Sequence, residues 1–228
     1  MKPTSPFNGH LIALDAGAAY HQFTFTDPAL SAFFDEVVYL DDLCDAHLQR
    51  ADAILVPCRT PAHRLRRWRD DLLRFAEQGG VLIVMGETQP DAWLMPLPTE
   101  PVATNYWWWL KGEDGLDLKP ADENHDLFQY VSPADCRWHL HALHSPPQGY
   151  RSILNHASGQ SVLFEGPLGR NGYLILTSLD PIYHHGSFFM PATTAFLTGF
   201  LPWVRKRLNQ QLDGVLQHHA TATDCSGQ

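Results

Sequence analysis

The chain has 228 residues, 44% of them apolar and 18% charged, with a formal net charge of −9. That is enough chain for one substantial core, and its negative charge is repelled by phosphate backbones and anionic membranes, which excludes nucleic acid and membrane as expected partners. No run approaches the roughly 20 apolar residues of a membrane helix.

The elements follow in chain order. His10–Leu14 is a short apolar strand, behind an N-terminus without the pattern of a signal peptide. Asp27-Pro28 predicts a helix start, leading into Ala29–Phe34 with proline at the first helical position. Val37–Leu40 is the next strand, Asp42–Ala51 is helix-like, and Ala53–Pro57 is a third strand. Thr60-Pro61 then caps the clearest helix, where Leu65, Trp68, Leu72, Phe75 and Ala76 share one face and Gly79-Gly80 ends it. The one dense basic run, Arg64 to Arg69, lies on that helix and reads as its solvated face. Val81–Met85 is a fourth strand.

These strands are continuously apolar, as strands covered on both faces must be. Alternating strands and helices with right-handed crossovers predict an α/β fold: a flavodoxin-like open, mostly parallel sheet with helices on both faces. Residues 88–135 break the rhythm with prolines, the triplet Trp107-Trp108-Trp109 and an acidic stretch, and read as an irregular insertion. Cys136–Leu143 resumes strand character. Ser152–His156, Ser161–Glu165 and Tyr173–Ser178 are further strands, and Pro191–Gln210 is a closing helix with Pro202 inside it. The organisation is a single domain over residues 1–212 with a polar, disordered tail over 213–228. The four cysteines are scattered without a CxxC pair, which fits a cytoplasmic setting better than a disulfide framework.

In an open parallel sheet the ligand crevice lies at the carboxyl ends of the strands. Topology therefore gathers Asp15, Arg59, Glu87, Asp180 and His184 towards one rim. Asp180, His184 and Glu87 are the candidates for acid–base catalysis, since an imidazole and a partly buried carboxylate are the usual parts. Asp15, Arg59, Tyr183 and His185 are the candidates for ligand binding. The loop after the first strand, DAGAAYHQ, carries neither the hydroxyls of an FMN site nor a GxGxxG fingerprint, so no cofactor is expected. The turn after the fourth strand presents Met85-Gly86-Glu87 and no nucleophile, and Cys58 reads as a small packed thiol. An alternative pairs His139 with His141 on one strand face as metal ligands, completed by Asp180 or His184, for a metal-dependent hydrolase. Trp107, Trp108 and Trp109 are either packing or a partner-binding platform.

Two stretches carry a resemblance. DAILVPCRTP, a helix and EQGGVLIVMGE, followed later by NGYLILTSLDPIYHHG and FLTGFLPW, resemble class I glutamine-amidotransferase-like domains, the ThuA-like branch in particular. In that superfamily a cysteine at the turn and a later His-x-Glu hydrolyse glutamine. Here Met85 stands at or beside the cysteine position, and neither His184 nor His185 has a Glu two residues on. The resemblance thus implies a non-glutaminase domain that binds a small polar ligand, carbohydrate among the options. A catalytically inactive scaffold contacting a protein partner, with homo-oligomers possible, is the alternative.

Overall fold

The computed structural model describes residues 8–102, 116–138 and 140–224, with side chains as far as residue 210. The Trp107–Trp109 triplet and His139 lie outside the described residues, and with them the expected platform and half of the histidine pair. The architecture is α/β, built among the described residues on one ten-stranded sheet. Five strands pair in parallel, in the order β2 (Glu36–Tyr39), β1 (Leu11–Asp15), β3 (Ala53–Val56), β4 (Val81–Met85), β10 (Gly172–Thr177). Beyond β10 the sheet continues antiparallel through β9 (Ser161–Leu168), β7 (Ala142–His144) and β5 (Thr99–Pro101), while β8 (Arg151–His156) joins β6 (Leu118–Pro120) to β9.

Strand alternation explains the continuous apolar runs. In β1, Leu11 and Ala13 enter one core and Ile12 and Leu14 the other. The same split divides Leu55 from Ile54 in β3, and Ile83 from Leu82 in β4. Both faces are covered, so every position is buried, and each such Leu or Ile contributes roughly 1.5–3 kcal/mol by leaving water. The first face is covered by α1 (Ala19–Thr26), α6 (Pro181–Gly186) and α7 (Pro191–Asp224), through Phe25, Ile182, Phe196 and Phe200. The second is covered by α2 (Asp45–Arg50), α3 (Ala62–Leu65), α4 (Arg69–Glu77) and α5 (Pro90–Trp93), through Leu48, Leu65, Leu72 and Trp93.

Several expected elements differ. The first helix begins at Ala19, and Asp27-Pro28 is a turn after it, followed by a short 3-10 turn over Ser31–Phe33. The FTFT segment has weak helix propensity, but Thr24 and Phe25 are buried and the Thr24 hydroxyl donates to the Ile182 carbonyl at 3.0 Å, so packing decides. The Arg64–Arg69 helix is interrupted by 3-10 geometry over Arg66–Trp68. Thr60 does not cap it, because its hydroxyl is used on the Pro57 carbonyl at 2.8 Å. The insertion contains α5 and the short strands β5 and β6. Cys136–Leu143 is not a strand as a whole. Ser132 caps a 3-10 turn over Pro133–Cys136, Trp138 is buried with its indole N–H on the Asp135 carbonyl, and pairing starts only at Ala142. His141 thus precedes the paired strand, and its expected partner His139 lies outside the described residues. Finally, α7 runs to Asp224, past the composition change at Leu212, with no proline after Pro202 to stop it.

A buried ion pair anchors α7 to the sheet: Arg205 Nη1 lies 2.9 Å from Asp35 Oδ2, and that oxygen also accepts the Leu11 N–H at 2.8 Å. Breaking such a pair from one side leaves an uncompensated buried charge, so it fixes where the helix sits.

Candidate functional site

The rim at the carboxyl ends of β3, β4 and β10 is assembled by tight turns. After β3 the chain reverses through Pro57-Cys58-Arg59-Thr60, where the Thr60 N–H and hydroxyl both return to the Pro57 carbonyl. Arg59 takes φ +61° there, a left-handed conformation uncommon outside glycine. After β4 the chain turns at Gly86, φ +61°, whose N–H donates to the Thr177 carbonyl of β10 at 2.8 Å. A Cβ at Gly86 would lie 2.2 Å from Cys58 Cβ and 2.9 Å from Asp180 Cβ, so only glycine lets the three turns close. Asp180 follows β10 and is the N-cap residue of α6, with Pro181 in its first turn.

Three of these side chains meet a fourth from the opposite half of the sheet. Arg59 Nη2 lies 3.2 Å from Asp180 Oδ2 and 3.3 Å from Glu87 Oε2. His141, just before β7, places Nδ1 3.3 Å from Glu87 Oε1 and Nε2 3.5 Å from Asp180 Oδ2. Asp180 Oδ1 lies 3.2 Å from His184 Nε2. The Arg59 guanidinium also sits over the Tyr183 ring, 3.5 Å from its centroid. Burial disfavours the charge on Arg59, but Asp180 and Glu87 outweigh it and hold the guanidinium above its ordinary value. Glu87 is the most accessible member, with 38% of its side chain exposed, whereas that of Asp180 is fully enclosed.

The remaining expected residues divide. His184 is buried behind Asp180, stacked on Phe189 and edge-on to Trp138. It positions Asp180 and does not line the opening. His185 does not face the rim: Nε2 lies 3.2 Å from Asp27 Oδ2 and Nδ1 2.8 Å from Thr194 Oγ1, tying α6 to the first turn and to α7. Asp15 accepts the Gly17 N–H at 2.7 Å and shapes its own loop. Beside it, buried His21 accepts the Ala16 N–H at Nδ1 and donates from Nε2 to the Cys58 carbonyl. Burial holds His21 below the ordinary imidazole range, consistent with that neutral tautomer.

Cys58 is fully buried, its sulfur accepts the Tyr183 N–H at 3.1 Å, and burial with Asp180 nearby pushes the thiol far above its ordinary value. It is the packed thiol expected, without the thiolate character that nucleophilic attack needs. For His141 the sequence offers only the spacing from His139. Its membership of the rim depends on β7 lying two places beyond β10, and nothing in the local sequence encodes that order.

No protein-family profile matches the chain, and no curated protein matches it. Among solved structures, a cytoplasmic protein of Salmonella typhimurium LT2 superposes with TM-score 0.52 at 12% identity, over 84% of this chain and 98% of the other. A GMP-synthase-type protein from Thermoplasma acidophilum superposes with TM-score 0.50 at 11% identity, over 87% and 97%. The likeness is one of fold alone: the chain shares the α/β architecture of these two proteins.

Proposed function

We propose that the chain is a non-glutaminase, amidotransferase-like domain of the ThuA-like kind that binds a small polar ligand, a carbohydrate or sugar acid, at the strand-end rim. The observation that carries this reading is the convergence of Arg59, Glu87, His141 and Asp180 from four separate segments onto one point. Fold stability does not call for such a cluster, because grouped charges at a half-open site cost desolvation that packed apolar residues would not. The donor set suits hydroxyls. Glu87 accepts, Arg59 donates, and His141 does either, so neighbouring hydroxyl groups find charge-assisted hydrogen bonds of alternating sense.

Glutamine hydrolysis is not supported. The β4 turn offers Met85, Gly86 and Glu87, and the nearby thiol is sealed in the core. If the bound ligand is turned over, Glu87 and His141 are the accessible pair for moving a proton, with Asp180 holding the imidazole and His184 holding Asp180.

A thermal-shift panel of neutral hexoses, a hexuronate and an aldonate at millimolar concentration tests the reading. A ligand at about 100 times its dissociation constant adds about 2.7 kcal/mol, or several degrees for a chain of this size. At least one member should raise the melting temperature of the wild type and fail to do so for Glu87→Gln. A panel without effect, or a shift that survives Glu87→Gln, contradicts it.

A further inference from the structure

We propose that Glu87, His141 and Asp180 together hold one divalent transition-metal ion of the Zn²⁺ or Mn²⁺ class, and that Arg59 is the built-in cation that this ion displaces. The proposal rests on the rim reading and gives it a chemistry.

Three potential donors, a glutamate oxygen, an aspartate oxygen and an imidazole nitrogen, lie within 4.8 Å of one another. They come from the β4 turn, the end of β10 and the segment before β7, so no single element or helix face accounts for their meeting. Metal–donor bonds of about 2.0–2.2 Å place neighbouring donors a little over 3 Å apart, and one imidazole nitrogen serves one ion: His141 offers either Nδ1, 3.3 Å from Glu87 Oε1, or Nε2, 3.5 Å from Asp180 Oδ2, with the remaining carboxylate drawn in from within 4.8 Å. The mixed nitrogen and carboxylate set suits borderline divalent ions, and three protein donors leave positions open for a polar ligand.

Charge points the same way. Glu87 and Asp180 bring two negative charges, and Arg59 returns one. Arg59 thus shows where a cation is stabilised, while neutralising half of the field. Arg59 is also the member that reaches solvent as a cation, with 27% of its side chain exposed while that of Asp180 is enclosed. Asp180 is steadied from behind by His184 on its other oxygen, an outer contact of the kind that orients metal-bound carboxylates.

The test is direct binding of Mn²⁺ and of Zn²⁺ to the purified chain, by loss of the free-Mn²⁺ electron paramagnetic resonance signal and by calorimetry. One ion per chain is expected, weakened at least tenfold in Glu87→Gln and in His141→Gln, and tightened at least fivefold in Arg59→Gln. Circular dichroism melts of each variant confirm that the chain is folded. No saturable binding by the wild type up to 1 mM (about the weak limit for protein cation sites), or binding unaffected by both Glu87→Gln and His141→Gln, overturns the proposal. An Arg59→Gln variant that binds no more tightly than the wild type removes the displacement. Metal failure combined with a Glu87-dependent sugar shift leaves the rim reading standing, so the two fail separately.

Discussion

The guanidinium of Arg59 lies over the ring of Tyr183, 3.5 Å from its centroid, while donating to the enclosed carboxylate of Asp180. One side chain thereby covers α6 and neutralises the charge beneath it. Removing it should cost more than a surface pair. Arg59→Ala is expected to lower stability by about 2–3 kcal/mol, less than the 3–5 of a fully buried pair because the arginine is partly exposed. Adding Asp180→Asn should recover at least about 1 kcal/mol relative to the sum of the single changes. Urea unfolding of the four proteins measures this, and strictly additive effects would show that the two residues are uncoupled.

Gly86 is the geometric keystone of the rim. Gly86→Ala adds a methyl 2.2 Å from Cys58 Cβ at φ +61°, so backbone strain and overpacking combine to about 2–4 kcal/mol. Gly159 is also left-handed, at φ +86°, but has nothing within 4 Å, and Gly159→Ala should cost only about 1 kcal/mol. Melting temperatures of the two variants separate crowding from strain. Equal losses would mean that the rim turn yields to the methyl.

The parallel half of the sheet was legible because its strands are buried on both faces, which writes an unbroken apolar run into β1, β3 and β4. The carboxyl-end rule then places Arg59, Glu87 and Asp180 together. The antiparallel half was not legible in the same way. Short strands such as β5 and β7 have three residues each, too few for a period. His141 consequently joins the rim through long-range strand order alone. His185 illustrates the opposite failure: it neighbours His184 in sequence, yet one helical step turns it towards Asp27 and Thr194.

The thiols give a chemical check on the site. Cys44 is exposed, whereas Cys58 and Cys136 are buried, with burial pushing Cys136 up to about 12 and Cys58 higher still. Iodoacetamide at pH 8 should label Cys44 in the folded chain and reach Cys58 and Cys136 only after unfolding, as read by peptide mass mapping. Rapid labelling of Cys58 in the native state would reopen thiol chemistry at the rim.

His144 sets an acid limit. It is buried at the end of β7, beside Phe164, and burial lowers it from 6.5 to about 4. The unfolded chain therefore takes up this proton first. The stabilising contribution of the neutral imidazole is complete above about pH 6.5 and is lost as pH falls towards 4, roughly 2 kcal/mol of it between pH 7 and pH 5. Urea midpoints at the two pH values should differ by less in His144→Gln than in the wild type, and an unchanged difference would assign the acid sensitivity elsewhere.

The central claim is that the rim is built to bind a polar ligand. The decisive measurement is the melting temperature of wild type and Glu87→Gln side by side, free and with the sugar or sugar acid that stabilises the wild type most. The free variant should melt within about 2 °C of the wild type or above it, as residues kept for function commonly do, and should lose the ligand-induced rise. A free variant that melts far below the wild type yet keeps the full rise would make Glu87 a structural residue and the rim a product of folding alone.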